Sequence, residues 1–163
     1  MPRDKTDLYT YAEPDVELAP YQFIWEHHFP NFSKEEIFSP ELLAKKLFHT
    51  VDIESLAKLQ RFRDYVFNAT RVGLVVNHGN SKLRGVRSLA EQAEVAKKYG
   101  GAETLSMHCQ GKAFDVSMWS NHNSDQLAKM AITFGFTGVG VYPTFVHLDT
   151  RFSFDGVPVV WYR

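Results

Sequence analysis

Two short segments of the sequence carry side chains suited to hold a metal ion. The first is SMHCQGKAFDV, residues 106–116, in which His108 precedes Asp115 by seven positions. Asp115 stands between Phe114 and Val116 in an apolar run, where a carboxylate is costly unless it is paired, hydrogen-bonded or bound to a metal. Two simpler interpretations are that Asp115 caps a turn or that it pairs with a lysine.

The second segment is FVHLDTR, residues 145–151, which has the pattern of a late β-strand. Alternate side chains of a strand share a face, so His147 and Asp149 would point the same way. Imidazole nitrogens and carboxylate oxygens are zinc ligands, and three of them with a fourth position open are typical of catalytic zinc. His108, Asp115 and His147 could form such a set, although His147 could also be a hydrogen-bonded core histidine.

The rest of the chain predicts the elements that must position these side chains. Helix-start signals stand at Ser39-Pro40 and in the capping box Ser88-x-x-Glu91. The periodicity of apolar residues predicts helices over 40–48, 52–68, 88–100 and 123–134, and strands over 72–77, 112–118, 137–142, 145–150 and 157–161. This order predicts an α+β fold, a single domain with a mainly antiparallel sheet flanked by helices.

The N-terminal segment, residues 1–38, predicts an irregular arm. Prolines punctuate it, and its many aromatic side chains are unusual for a free linker. We therefore expect the arm to pack, on this chain or on a protein partner, and the domain proper to span residues 39–163.

The composition excludes several classes of protein. The net charge of −1 argues against nucleic-acid binding, and the single cysteine, Cys109, excludes an intrachain disulfide and a Cys-rich zinc knuckle. No stretch approaches the roughly 18 apolar residues of a membrane span. The N-terminal residues carry acids and prolines where an export signal would be apolar, so we expect a product made in the cytoplasm without a signal peptide.

The two motifs together resemble the zinc D-alanyl-D-alanine carboxypeptidase and murein endopeptidase family (LAS-type peptidases). The family signature S-x-H-x-x-G-x-A-x-D is matched at every specified position by residues 106–115, and residues 142–151 resemble the later motif YP-x-FVH-x-D-x-R. Residues 84–87, RGVR, resemble the arginine-bearing loop of phage-encoded members. The resemblance covers about residues 40–163.

This resemblance implies a fold like those of D-Ala-D-Ala carboxypeptidases and hedgehog proteins, and one Zn²⁺ per chain. His108, Asp115 and His147 would hold the zinc. Arg87, or alternatively Arg84, would bind a substrate carboxylate or polarise the scissile carbonyl. Further substrate contacts are expected from Arg84, Ser106, Tyr142 and Trp161.

One position departs from the family pattern. Many members place Glu or Asp three residues before the last zinc histidine as general base, and here that residue is Thr144. Asp149 could be the base instead, or it could fix the tautomer of a ligand histidine. His78 is a remoter candidate.

The resemblance implies a zinc peptidase that hydrolyses D-amino-acid-containing stem peptides or cross-bridges of peptidoglycan, without nucleic acid or membrane insertion. A phage product would reach the wall by holin-type release or as part of a virion. One alternative is a non-catalytic zinc-binding structural or interaction protein of the same fold. Another is a non-haem iron oxygenase, because His147-x-Asp149 with a further histidine imitates a facial triad.

Overall fold

The computed structural model describes residues 25, 27–76, 82–101, 106–118 and 123–163. The chain divides into two compact units, Met1–Asn31 and Phe32–Arg163. In the smaller unit, the rings of Trp25 and Phe29 pack edge to face with centroids 5.2 Å apart. The larger unit carries both metal-ligand motifs. It begins at Phe32, within the last residues of the predicted arm, and residues 1–24 of that arm lie outside the described residues.

The larger unit combines short and long helices with short strands. The helices are α1 (Lys34–Ile37), α2 (Pro40–Ala44), α3 (Ile53–Thr70), α4 (Leu89–Tyr99) and α5 (Ser124–Phe134), with a 3₁₀ turn at Phe48–Thr50. The strands are β1 (Leu74–Val76), β2 (Ala113–Met118), β3 (Gly138–Val141), β4 (Val146–Asp149) and β5 (Val159–Tyr162). Among the described residues, no helix has the length and apolarity needed to cross a membrane.

The three longest helices begin where their capping residues predict. Asp52 caps α3 by accepting from the backbone N–H of Ser55, and Asn123 caps α5 by accepting from that of Gln126. The capping box of α4 is complete, because Ser88 and Glu91 each accept from the other's backbone N–H. These helices confirm the sequence prediction closely.

Helix α2 is shorter than predicted, because it ends at Ala44 rather than Phe48. Lys46 adopts a left-handed conformation with φ 54°. The N–H of Leu47 donates to the carbonyl of Leu42, and that of Lys46 to the carbonyl of Leu43, which together form a Schellman motif. Glycine normally marks such an end, and a lysine there leaves no signal in the sequence.

The α+β prediction is confirmed. Within the described residues, the strands form one sheet in the order β1-β2-β4-β3-β5, with antiparallel pairs except for the parallel pair β3–β5. On one face the fully buried side chains of Phe114, Val139 and Leu148 form the core, and α5 packs against β3 and β4. By the two-residue period of a strand, the intervening residues of β2 and β4 lie on the other face.

Candidate metal centre

The sheet places two of the predicted ligands directly opposite each other. Asp115 of β2 pairs in register with His147 of β4. The same row continues through Gly140 of β3 to Trp161 of β5. Directly opposite residues of antiparallel strands have Cβ atoms about 4.5–5.5 Å apart, so this register alone brings the carboxylate and the imidazole together.

A tight loop presents the third ligand, His108. The Ser106 hydroxyl accepts from the backbone N–H of His108, and the N–H groups of Cys109 and Lys112 close successive turns. Gly111 has a φ of +70°, and a Cβ there would lie 2.1 Å from the carbonyl oxygen of Thr50. The glycine of the signature is therefore needed for both its backbone conformation and the close approach of the chain that leads into α3.

The predicted arginine-bearing segment, residues 84–87, packs against both His108 and Asp115 through its backbone. The Gly85 carbonyl lies 2.8 Å from His108 Nδ1, and the Arg84 carbonyl accepts from the N–H of Asp115 at 2.7 Å. Val86 forms a parallel bridge with Phe38, which ties the segment to the chain between α1 and α2. The segment thus holds His108 in place while carrying Arg87.

The three ligand atoms converge at the spacing that a tetrahedral ion requires. His147 Nδ1 lies 2.9 Å from Asp115 Oδ1, His108 Nε2 lies 3.3 Å from the same oxygen, and the two nitrogens are 3.2 Å apart. Ligands bound to zinc at about 2.0–2.1 Å in tetrahedral geometry lie about 3.3 Å from one another. The residues present therefore fit one zinc ion with small adjustments.

The partners of the outer ring nitrogens orient both imidazoles for this role. The Gly85 carbonyl can only accept, so His108 Nδ1 carries the proton and Nε2 keeps its lone pair. Likewise His147 Nε2 donates to Asp149 Oδ2 at 2.9 Å. Such partners of a metal-bound histidine fix its tautomer and ring orientation.

Without a metal, a proton is expected to occupy the centre of this cluster. Burial lowers the pKa of His108 and keeps its ring neutral. Burial also disfavours the cationic form of His147, but its hydrogen bonds to Asp115 and Asp149 outweigh that effect and raise its pKa to about 9. Burial disfavours the Asp115 carboxylate, yet the protonated His147 ring that donates to it holds the pKa of Asp115 well below its usual range.

Zinc binding is therefore expected to displace one proton from His147 below about pH 9. Its apparent affinity should rise about tenfold per pH unit up to that value and then level off. Because folding raises the pKa of His147, protonation of this ring stabilises the metal-free fold. That stabilisation is fully present below about pH 6.5 and should be lost as the pH rises through 9. Titration calorimetry in buffers of different ionisation enthalpy measures the released proton; a buffer-independent heat with flat affinity would contradict the assignment.

Asp149 lies behind His147 rather than at the ligand cluster. It is fully buried, and its carboxylate accepts from His147 and from the guanidinium of Arg151. It contacts the ring nitrogen of His147 that faces away from His108, which is the position of a group that orients a metal-bound histidine. Among the described residues, the ligand atoms that converge are those of His108, Asp115 and His147, so Asp149 does not complete with His108 and His147 the facial triad that an iron oxygenase would need.

The other predicted site residues line one cleft of about 1720 Å³ that opens over the cluster. Its walls include Arg84, Arg87, Ser106, Tyr142 and Trp161, together with the three candidate ligands. Arg87 is buried and lies in the electrostatic field of Asp115, and its Nε has no hydrogen-bond partner among the described residues. His78, the remoter base candidate, lies outside the described residues.

Sequence reasoning missed the small residues and backbone groups that support the ligands. A Cβ on Gly138 would lie 2.1 Å from Asp149 Oδ1, and one on Gly140 would lie 2.5 Å from the Trp161 ring. The alternation Gly-Val-Gly-Val in β3 was a signal, because glycine inside a strand marks close approach of another group. The Gly85 carbonyl left no signal, since any residue carries one.

In a comparison with protein-family models, residues 30–149 match a family described as Peptidase M15. The match covers the arginine-bearing segment, the signature loop and all three candidate ligands. No curated protein matches the chain significantly.

Proposed function

The chain belongs to the peptidase M15 family of metal-dependent peptidases, and from that premise we propose that it is a zinc peptidase acting on stem peptides or cross-bridges of bacterial peptidoglycan. The observation that carries the proposal is the convergence of His108, Asp115 and His147, with ligand atoms within 4.8 Å of one another, at the base of an open cleft. When bound there, zinc would polarise a peptide carbonyl and activate water.

The charge of the cleft supports an anionic peptide as substrate. The chain as a whole has a net charge of −1, yet the described residues that line the cleft include the cations Lys82, Arg84, Arg87, Lys97, Lys98, Arg151 and Arg163 against the acids Glu91, Glu94 and Asp115. Of these cations, Arg151 pairs with Asp149. Clefts lined by one sign of charge concentrate ligands of the opposite sign. Peptidoglycan stem peptides carry free carboxylates, so they match this lining.

Arg87 is the group that we propose to bind the reacting part of the substrate. It sits in the wall of the cleft next to the ligand segment, and no ion pair occupies it among the described residues. Its planar fork of donors can hold a carboxylate or the oxygen that gains charge during attack on the carbonyl. Arg84 also lines the cleft, with its guanidinium carbon 4.6 Å from the centroid of the Phe145 ring.

The position of Asp149 supports a role in orienting His147, and replacing it by asparagine tests that role against general-base catalysis. As an orienting group, its loss should weaken zinc binding about 10- to 100-fold. As a general base, its loss would leave zinc affinity unchanged and lower kcat. Chelator competition and steady-state kinetics on Asp149→Asn separate the two, and an unchanged zinc affinity would overturn the orienting role.

The proposed activity is tested with zinc-loaded protein and purified peptidoglycan. Liquid chromatography with mass spectrometry of the soluble and enzymatically solubilised products identifies the bond. Free D-alanine indicates a carboxypeptidase, and conversion of cross-linked dimers to monomers indicates an endopeptidase. If tight zinc binding is found but no product forms from walls of several cross-link types, the peptidase proposal fails.

A non-catalytic metal-binding protein of the same fold is the second candidate function. The observation that favours it is Thr144, which stands where many relatives of this type would carry the general base. The same experiment decides between them, because retention of the protein on peptidoglycan without any product favours binding over catalysis. Action at the wall, by holin release or within a virion if the chain is a phage product, belongs to the first proposal.

A further inference from the structure

Arg151 makes several hydrogen bonds to Asp149, the carboxylate that contacts the candidate ligand His147. Its Nε donates to Asp149 Oδ1 at 2.8 Å and its Nη2 to Asp149 Oδ2 at 2.5 Å, while its backbone N–H donates to Oδ1 at 3.0 Å. Such a bidentate pair fixes the plane of the carboxylate as well as its position. The pair is asymmetric in burial, since Asp149 is fully buried and the Arg151 side chain is 30% exposed.

The indole of Trp161 connects the same arginine to the ligand ring. The Arg151 guanidinium carbon lies 5.0 Å from the centroid of the indole, and the indole centroid lies 5.3 Å from that of the His147 imidazole. Arg151 therefore reaches His147 by two routes, through the Asp149 carboxylate and through the Trp161 ring. A cation over an aromatic face is an attractive contact in its own right.

Two glycines of β3 leave the space that the Asp149 and Trp161 side chains occupy. As noted above, added Cβ atoms at Gly138 and Gly140 would collide with the Asp149 carboxylate and with the Trp161 ring respectively. Since both glycines lie on the face of the sheet that carries His147, the strand is built to accept both side chains against that ligand.

We infer that Arg151 is a positioning residue for the metal ligand His147, which it orients by holding the Asp149 carboxylate, with the Trp161 indole as a second support. Arg151 lies beyond the residues matched by the family model, which end at Asp149. This inference rests on the metal site of the proposed function. It does not require the substrate to be peptidoglycan.

The inference predicts a change in zinc affinity that a purely structural ion pair would not produce. With Arg151→Met, the carboxylate loses its fixed plane, so zinc should bind about 10- to 100-fold more weakly. Arg151→Lys keeps the charge but not the fork of donors, so it should restore the affinity only in part. Arg61→Met, which removes an exposed arginine of α3, is the matched control and should leave zinc affinity unchanged.

A double-mutant cycle with Asp149→Asn tests the route of the effect. Zinc affinity is measured by competition with a chromophoric chelator, and thermal unfolding of the metal-free protein is followed in parallel. If Arg151 acts through Asp149, adding Arg151→Met to Asp149→Asn should change zinc affinity by less than about twofold. An equal loss in both backgrounds would overturn the inference, as would a lowered unfolding temperature with unchanged zinc affinity.

The measurement stays decisive if Arg151→Met does not fold. Arg151→Lys then takes its place in the cycle. Zinc affinity equal to that of the wild type when Asp149 is present contradicts the inference, as does an equal loss with and without Asp149→Asn. Zinc affinity is the readout, so a protein that binds zinc but cleaves no peptidoglycan would defeat the proposed activity and leave this inference standing. A wild-type protein that binds no zinc would defeat both.

Discussion

Replacing His108 by alanine is expected to abolish zinc binding and peptidase activity together. The substitution removes one of three converging ligand atoms, and the remaining pair, Asp115 and His147, cannot complete the three-ligand set that a catalytic zinc requires. Zinc content, measured by inductively coupled plasma mass spectrometry after gel filtration, should fall from about one per chain to below about 0.1. Product formation from peptidoglycan should fall to background.

The folded state of His108→Ala must be verified, because His108 is buried and its Nδ1–H bonds to the Gly85 carbonyl. Circular dichroism of the metal-free variant provides this check. His28→Ala, which removes an exposed histidine of the smaller unit, is the control and should retain both zinc and activity. A folded His108→Ala protein that keeps stoichiometric zinc would show that the ion, if any, binds elsewhere.

Replacing Arg87 by methionine is expected to lower kcat/KM by about 10²–10³ while the protein keeps its zinc. Methionine preserves much of the apolar length of the side chain but removes the donors that a substrate oxygen would use. A fall mainly in kcat would indicate that Arg87 stabilises charge on the scissile carbonyl, whereas a rise mainly in KM would indicate that it holds a substrate carboxylate. Steady-state kinetics on a synthetic stem peptide separate the two.

The direction in which zinc affinity changes provides an internal check on the Arg87→Met variant. The guanidinium lies in the field of Asp115, so removing its positive charge should strengthen zinc binding slightly rather than weaken it. Arg87→Lys keeps the charge and should show an intermediate kcat/KM, because an ammonium group cannot reproduce a bidentate fork. Unaltered kinetics for Arg87→Met would remove Arg87 from the proposed mechanism.

Because Thr144 stands where many family members carry the general base, the Asp149→Asn experiment tests the acid nearest to the last ligand histidine as its replacement. Asp149 is the acid nearest in sequence to the last ligand histidine, and the fold directs it to the rear of the His147 ring. If it orients His147, the proton acceptor must be sought elsewhere, and His78 remains a candidate outside the described residues. The pH dependence of kcat in Asp149→Asn would report whether a titrating group has been lost.

The sequence was sufficient to predict the candidate ligands and most of the elements that carry them. His108 and Asp115 stand in a motif whose glycine has a steric reason, and His147 alternates with the apolar residues of a strand. Helices α3, α4 and α5 were predictable because their capping residues bond to backbone groups only three residues away. Interactions between residues so close in the chain depend on the local sequence alone, so they can be predicted from it.

The tertiary structure alone decided how these pieces meet. The strand order β1-β2-β4-β3-β5 and the register that sets Asp115 opposite His147 join residues 32 positions apart, and no local pattern specifies such a pairing. The same pairing makes Asp149 a buried partner of His147 and Arg151. Side-chain identity and local hydrogen bonds determine which groups could bind a metal, but whether their lone pairs converge depends on strand pairing over long separations, which only the folded chain establishes.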